Sequence, residues 1–229
     1  MFIGFRVVKP WAGGCLKPVL RAFTWYLMGM RYFVGLDLGQ SYDPSAIAVV
    51  DADRGLLQVR YLERAPLGTP YPKVVEWVRH IVTHDKLRGR CGLIVDGTGV
   101  GAPVVDMLRA ARLGCEVTDV RITGGERESD GGSESHAPRR YVPKRDLMAG
   151  LQVAMGNYEL KIATGCADTQ TLVQELLDMK MSYGESGRVR MGADGFGQHD
   201  DLAIALALAV WRSRRREAPQ NNLGGGRLF

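Results

Sequence analysis

The sequence predicts an α/β fold: a central mixed sheet of five strands, three of them an antiparallel meander and the others parallel, flanked by helices. Three observations predict it. Apolar runs of strand length alternate with segments whose apolar residues recur at helical spacing. The first three runs follow one another through short turns, a connection open to antiparallel neighbours only. Finally, three apolar runs are interrupted or capped by aspartate: Asp37 in FVGLDLGQSYDPSAIAVVD, Asp96 in GLIVDGTGVGAP, and Asp200 with Asp201 in HDDLAIALALAVW. A carboxylate against a buried run is costly unless it is paired, hydrogen-bonded or bound to a cation. Several converging on one sheet edge make an oxygen-rich site for hard divalent cations, which points to phosphodiester chemistry.

Taken in order, residues 32–38 read as the first strand, with Gly39 and Asp43–Pro44 marking the turn. Residues 45–51, rich in Ile and Val, form the second strand, and 56–63, after Gly55, the third. Val74, Val75, Val78, Ile81 and Val82 fall at helical spacing and predict a helix over 72–84. A short apolar strand over 91–96 ends in Asp96. Pro103 then starts a helix that Gly114 stops, and 116–123 is the fifth strand. Helices are expected over 144–157, 169–179 and 200–212, with a short extended piece at 160–162 and a hairpin over 181–191. The last helix is apolar almost all round, so it is expected to pack on several sides.

Three domain-level segments follow. Residues 1–30 are an N-terminal extension, apolar and basic but broken by Pro10, Gly13, Gly14 and Pro18. They hold no run of membrane-spanning length and no clean signal peptide, and Met28 or Met30 is an alternative start. Residues 31–213 are the folded domain, and within it 124–140 (GGERESDGGSESHAPRR) lacks an apolar anchor and is expected to be a flexible surface loop. Residues 214–229 form a basic, Gly-rich tail, expected to be disordered. A hydrophobic content of 45% with 24% charged residues is that of a globular protein with a real core. The net charge of +5 suits an acidic partner such as nucleic acid without requiring one. Cys15, Cys91, Cys115 and Cys166 are too scattered for a zinc site or a disulfide frame, and no histidine pair has metal-ligand spacing.

The element order strand-strand-strand-helix-strand-helix-strand-helix is that of the ribonuclease H-like fold. Its right-handed crossover sets the fourth strand parallel to the first. The carboxyl end of strand four then lies beside the middle of strand one and brings Asp96 next to Asp37. A helix packed across the sheet delivers Asp200 or Asp201 to the same edge. Two cations about 4 Å apart, clamped by such a cluster, would lower the pKa of a bound water and stabilise the departing 3′ oxygen.

Four blocks, GLDLGQSYDPSAIAVV, VDGTGVGAPVVDML, YVPKRDLMAGLQVAM and HDDLAIALALAVW, resemble in order and spacing the nuclease domain of tailed-phage terminase large subunits. The resemblance runs from Tyr32 to about Arg212. It implies a metal-dependent endonuclease that cuts double-stranded phage DNA during packaging, with two Mg²⁺ or Mn²⁺ ions, in the cytoplasm of a bacterial host. It implies Asp37, Asp96 and Asp201 as catalytic metal ligands, with Asp200 as a helix cap, auxiliary group or further ligand. A complete large subunit also carries a packaging ATPase, yet no G-x-x-x-x-G-K-[ST] run occurs here. The expectation is a nuclease module without its motor, from a split gene, a prophage remnant or a truncated chain. A separate packaging ATPase, a small terminase subunit and a portal are the partners implied.

Other residues carry weaker expectations. Asp43, before Pro44, reads first as an Asx-type turn former and second as an auxiliary ligand. His199 reads either as a solvated loop residue or as a group tuning the site. Lys144, Arg145, Arg139 and Arg140 are candidate contacts to the DNA backbone, or simply a solvated basic face. The glycines flanking Asp37 suggest close backbone approach by a ligand. Rival readings are a non-catalytic DNA- or portal-docking module of the same fold, a Holliday-junction resolvase, and an actin- or sugar-kinase-like nucleotide-binding protein. The last needs two such domains, more than 229 residues with one set of strands supply.

Overall fold

The structure is a computed structural model that describes residues 30–39, 43–99, 101–131, 139–163, 165–178, 180–183, 189–192 and 199–215, of which 180–183 and 189–192 are described by backbone only. The expected N-terminal extension (save Met30) and basic tail, beyond Arg215, lie outside the described residues. The meander is β1 (Tyr32–Asp37), β2 (Ala46–Asp53) and β3 (Leu56–Arg64). Helix α1 (Tyr71–Val82) leads to β4 (Cys91–Asp96), and α2 (Gly101–Ala110) to β5 (Glu116–Thr123). Then come β6 (Ser129–Asp130), β7 (Arg139–Pro143), α3 (Lys144–Gly156), β8 (Leu160–Ile162) and α4 (Thr169–Asp178). A separate hairpin of β9 (Lys180–Tyr183) and β10 (Val189–Gly192) precedes α5 (Asp201–Arg214).

The main sheet runs β6-β7-β5-β4-β1-β2-β3-β8. Its centre is as expected, with β1–β2–β3 antiparallel and β4 and β5 parallel to β1 and to each other. The expected count of five strands is corrected to eight. Strand β7 pairs parallel to β5, β6 antiparallel to β7, and β8 parallel to β3. Two of these strands fall in or across the segment expected to be a loop. Backbone pairing does not require apolar side chains, and β7 is further held by Arg139 to Asp119 and by Arg140 to Asp130. Residues 132–138 of that segment lie outside the described residues.

The sheet has an apolar core on each face, because strand side chains alternate. Tyr32, Val34 and Leu36 of β1 pack with the apolar stripes of α1 and α2. Phe33 and the alanines and Val50 of β2 face α5, α3 and α4. Helix α1 buries Val74, Val75, Val78, Ile81 and Val82, with Pro72 in its first turn, where a missing N–H costs nothing. Helix α5 is buried from Asp201 to Trp211, as its apolar periphery predicts. Among the described residues, no helix is long and apolar enough to cross a membrane.

Candidate metal centre

Three elements deliver the acidic residues to one edge of the sheet. Strands β1 and β4 pair in parallel with Leu36 opposite Val95, so Asp37 and Asp96 follow as neighbours at the strand ends. Asp96 therefore sits level with the end of β1 and not beside its middle. Helix α5 lies across β1 so closely that a Cβ on Gly35 would collide with the Ala205 carbonyl oxygen. That contact sets the helix against the strand and places Asp200 and Asp201, at its start, over the same edge. Gly39, on the other side of Asp37, is packed against the Asp43–Pro44 backbone, and its N–H donates to Ser45 Oγ at 3.1 Å. The glycines flanking Asp37 thus serve packing of the chain on itself.

The charges follow the convergence. Burial, followed by the charges of Asp96, Asp201 and Asp200, pushes the Asp37 carboxyl well above its usual range, with Lys144 pulling the other way. Burial also raises Asp96, although its side chain accepts the Thr98 N–H at 2.8 Å in an Asx turn and Arg121 lowers it too. Asp201 is pushed up to about 6, first by burial, against the opposing charges of Arg64 and His199. Like charges held close in a partly desolvated place raise one another, and a divalent cation reverses that balance.

A second arm of the site joins Asp201 to two residues of weaker sequence expectation. Single ligand atoms of Asp43, His199 and Asp201 all lie within 4.8 Å of one another. His199 Nδ1 stands 3.2 Å from Asp43 Oδ1 and 4.0 Å from Asp201 Oδ2. Asp37 and Asp96 are not in that group, although Asp37 feels the charge of Asp201. Asp43 and His199 thus meet each other beside Asp201. A groove lined by Gly39, Asp43, Ser45, Thr69 and Tyr71 opens beside them.

Asp200 occupies the N-cap position of α5, yet its side chain makes no capping hydrogen bond. It pairs instead with Lys144 Nζ at 2.6 Å, which corrects the expectation of a side-chain cap. The other candidate DNA contacts are likewise engaged by the fold. Arg139 Nε lies 2.8 Å from Asp119, Arg140 pairs with Asp130, and Arg145 reaches Asp146 at 3.4 Å and the Glu126 carbonyl at 2.5 Å. Of these four, Lys144 alone stands among the site's carboxylates.

Two groups that sequence reasoning missed support the site. Arg64, at the end of β3, places Nη2 at 3.2 Å from Asp201 Oδ2 and also contacts Glu175 of α4. Glu175 is pushed up to about 7, first by burial, against the Ala203 N–H and Arg64. On the Asp96 side, fully buried Asp119 sits between Arg121 and Arg139, and Arg121 donates to the Gly97 carbonyl oxygen. A Cβ on Gly97 would collide with Asp119 Oδ1, so glycine is needed after Asp96. The sequence carries a signal for Glu175. It falls three residues after buried Leu172, on the inward face of α4, while apolar Val173 and Leu177 point outward.

The donor set fits a hard divalent cation: carboxylate oxygens with one imidazole. Asp201 Oδ2 is buried and makes no hydrogen bond among the described residues, the condition that a bound cation relieves.

The fold is shared with solved phage proteins. The large terminase nuclease from thermophilic phage G20c matches with a TM-score of 0.56 and 23% identity, over 80% of this chain and 82% of that one. Its form with bound magnesium matches at 0.58 and 24%, over 80% and 81%. The large terminase nuclease domain of Thermus phage P74-26 matches at 0.53 and 22%, over 78% and 77%. This chain also aligns with 39% of the large terminase from a further thermophilic bacteriophage, with 80% of its own length covered, at 14% identity and a TM-score of 0.56. The chain therefore has the ribonuclease H-like α/β fold. Its particular architecture is that of the large terminase nucleases. No protein-family model matches the chain, and no curated protein matches it.

Proposed function

We propose that this chain is a divalent-metal-dependent endonuclease that cuts double-stranded DNA in phage genome packaging. The observation that carries the reading is the convergence of Asp37 and Asp96, at the ends of paired parallel strands, with Asp200 and Asp201 at the start of the helix packed across them. Asp37, Asp96 and Asp201 are the carboxylates that would hold the metal, with Asp200 beside them and Asp43 and His199 extending the Asp201 arm. Mg²⁺ or Mn²⁺, two ions in number, would supply Lewis-acid activation of water and of the scissile phosphate. The cobalt- and magnesium-bound forms of the G20c nuclease support the choice of divalent cations.

The chain's own residues bind and orient. The groove beside Asp43 admits substrate to the acidic edge, and among the described residues its lining holds no base-reading basic side chain. Lys144 is placed to turn from Asp200 toward a phosphate, so contacts are to backbone and sequence preference is weak. A packaging ATPase, a small terminase subunit and a portal are the partners this reading calls for, within the host cytoplasm.

The test is incubation of the purified protein with supercoiled plasmid, without ATP, in Mg²⁺, Mn²⁺ or excess EDTA. Nicking and linearisation in metal, and none in EDTA, is the expected result. Full cutting in EDTA, or metal-loaded protein that binds DNA and leaves it intact, would sink the reading; the second outcome marks a docking module.

A further inference from the structure

A helix N-terminus leaves backbone N–H groups to be satisfied, usually by the side chain of its N-cap residue. In α5 that residue, Asp200, gives its carboxylate to Lys144. The acceptor comes from another helix. Glu175 Oε2 accepts the Ala203 N–H at 2.8 Å, the amide an N-cap side chain ordinarily takes. Glu175 Oε1 holds Arg64, and the same Nη2 of Arg64 lies 3.2 Å from Asp201 Oδ2. Arg64 is itself tethered, its backbone N–H donating to Asp168 Oδ2 at 2.9 Å. Glu175 is 5% exposed and Asp201 6%, so neither acid reaches this place without a partner to justify it.

We propose that Glu175 is a positioning residue for the Asp201 arm of the site: it caps α5 from α4 and holds Arg64 so that the guanidinium orients the Asp201 carboxylate without claiming it outright. Two consequences follow for the acids. Because Glu175 supplies the cap, the Asp200 side chain is released to face the acidic edge. Because Glu175 shares Arg64, Asp201 Oδ2 faces the guanidinium at 3.2 Å without being hydrogen-bonded to it, so a cation can take that oxygen in the guanidinium's place. When a cation takes Asp201, Arg64 keeps an anionic partner in Glu175. Partners that orient metal ligands in this way are worth roughly 10–100-fold in metal affinity.

The proposal rests on the metal-site reading above, and the experiment separates the two. Mn²⁺ affinity is measured by calorimetry on DNA-free protein, Tm is measured in EDTA, and plasmid cutting is followed in parallel. In Glu175→Gln the amide oxygen still accepts the Ala203 N–H, so Tm in EDTA stays close to that of the parent. Arg64 then pairs with Asp201 alone, and Mn²⁺ affinity falls about 10-fold. Glu175→Ala loses the cap as well and lowers both quantities. Arg64→Lys, a point charge that cannot bridge two carboxylates as a fork does, keeps the fold and also weakens Mn²⁺ binding. Glu175→Gln or Arg64→Lys with parental Mn²⁺ affinity overturns the positioning role and leaves Glu175 a structural cap. A parent protein that binds Mn²⁺ but leaves plasmid intact overturns the nuclease reading alone. A parent that binds no Mn²⁺ overturns both.

Discussion

The β1–β2 ladder carries a carboxylate at each end, Asp51 buried and Asp37 partly exposed, and the two ends treat it oppositely. At one end Asp51, opposite Tyr32, has Arg31 Nε at 2.6 Å and Arg60 Nη2 at 3.2 Å. Burial pushes Asp51 up, but the hydrogen bonds and charges of Arg31, then Arg60, outweigh it and hold the carboxyl below its usual value. At the other end Asp37, opposite Ala46, meets three further acids and one lysine, and is raised. Both are aspartates at the boundary of the same apolar ladder. The difference teaches that an acid's role is written in its partners: a paired acid holds the fold together, whereas an underpaired cluster is one that a cation would stabilise.

The sharpest way to break that comparison is to remove one carboxylate from each end. Asp37→Asn and Asp96→Asn should reduce plasmid cutting by about 10²–10³-fold or more, because each removes charge from the cation site. Their Tm in EDTA should rise, since repulsion within the metal-free cluster is relieved. Asp51→Asn should do the reverse, losing about 1–2 kcal/mol of stability to urea while cutting per folded molecule is kept. An Asp37→Asn protein that cuts normally would remove the distinction between the two ends.

The pH dependence of stability sharpens it next. Asp201 rises from 3.8 to about 6 and Glu175 from 4.5 to about 7, so between these values the folded protein binds more protons than the unfolded chain. Stability falls with rising pH wherever that holds. Tm in EDTA should therefore drop as pH is raised from about 4.5 to 7, and saturating Mg²⁺ should flatten the slope. Asp51 contributes with the opposite sign: its stabilisation is present above about pH 4 and is lost as the solution becomes more acid. A Tm in EDTA that climbs steadily from about pH 4.5 to 7 would contradict the raised carboxyls.

The smallest effect is expected at Asp200. Since its side chain caps nothing, Asp200→Ala should change stability by no more than about 0.5 kcal/mol, the scale of a partly exposed ion pair with Lys144. Glu175→Ala, which removes the operative cap, should cost about 1 kcal/mol by denaturant titration. Reversal of that order would return the cap to Asp200.

The sequence by itself determined most of the elements in their order and marked the acids that the fold brings toward one edge. Apolar runs bounded by glycine and proline mark β1 to β5, helical spacing marks α1 and α2, and an Asp interrupting such a run is legible because burial makes it expensive. It did not determine β6 and β7, whose membership in the sheet rests on backbone pairing and on Arg–Asp pairs closed by the fold. Nor did it assign Asp200, since a cap and a site residue look alike until the helix finds its acceptor in Glu175, 28 positions from Ala203 in the chain. Asp43 and His199 meet 156 positions apart, and Arg64 meets Glu175 at 111. Local propensity acts over one or two turns of chain, whereas the partners that decide whether a carboxylate is paired or underpaired are brought together only by packing across the sheet.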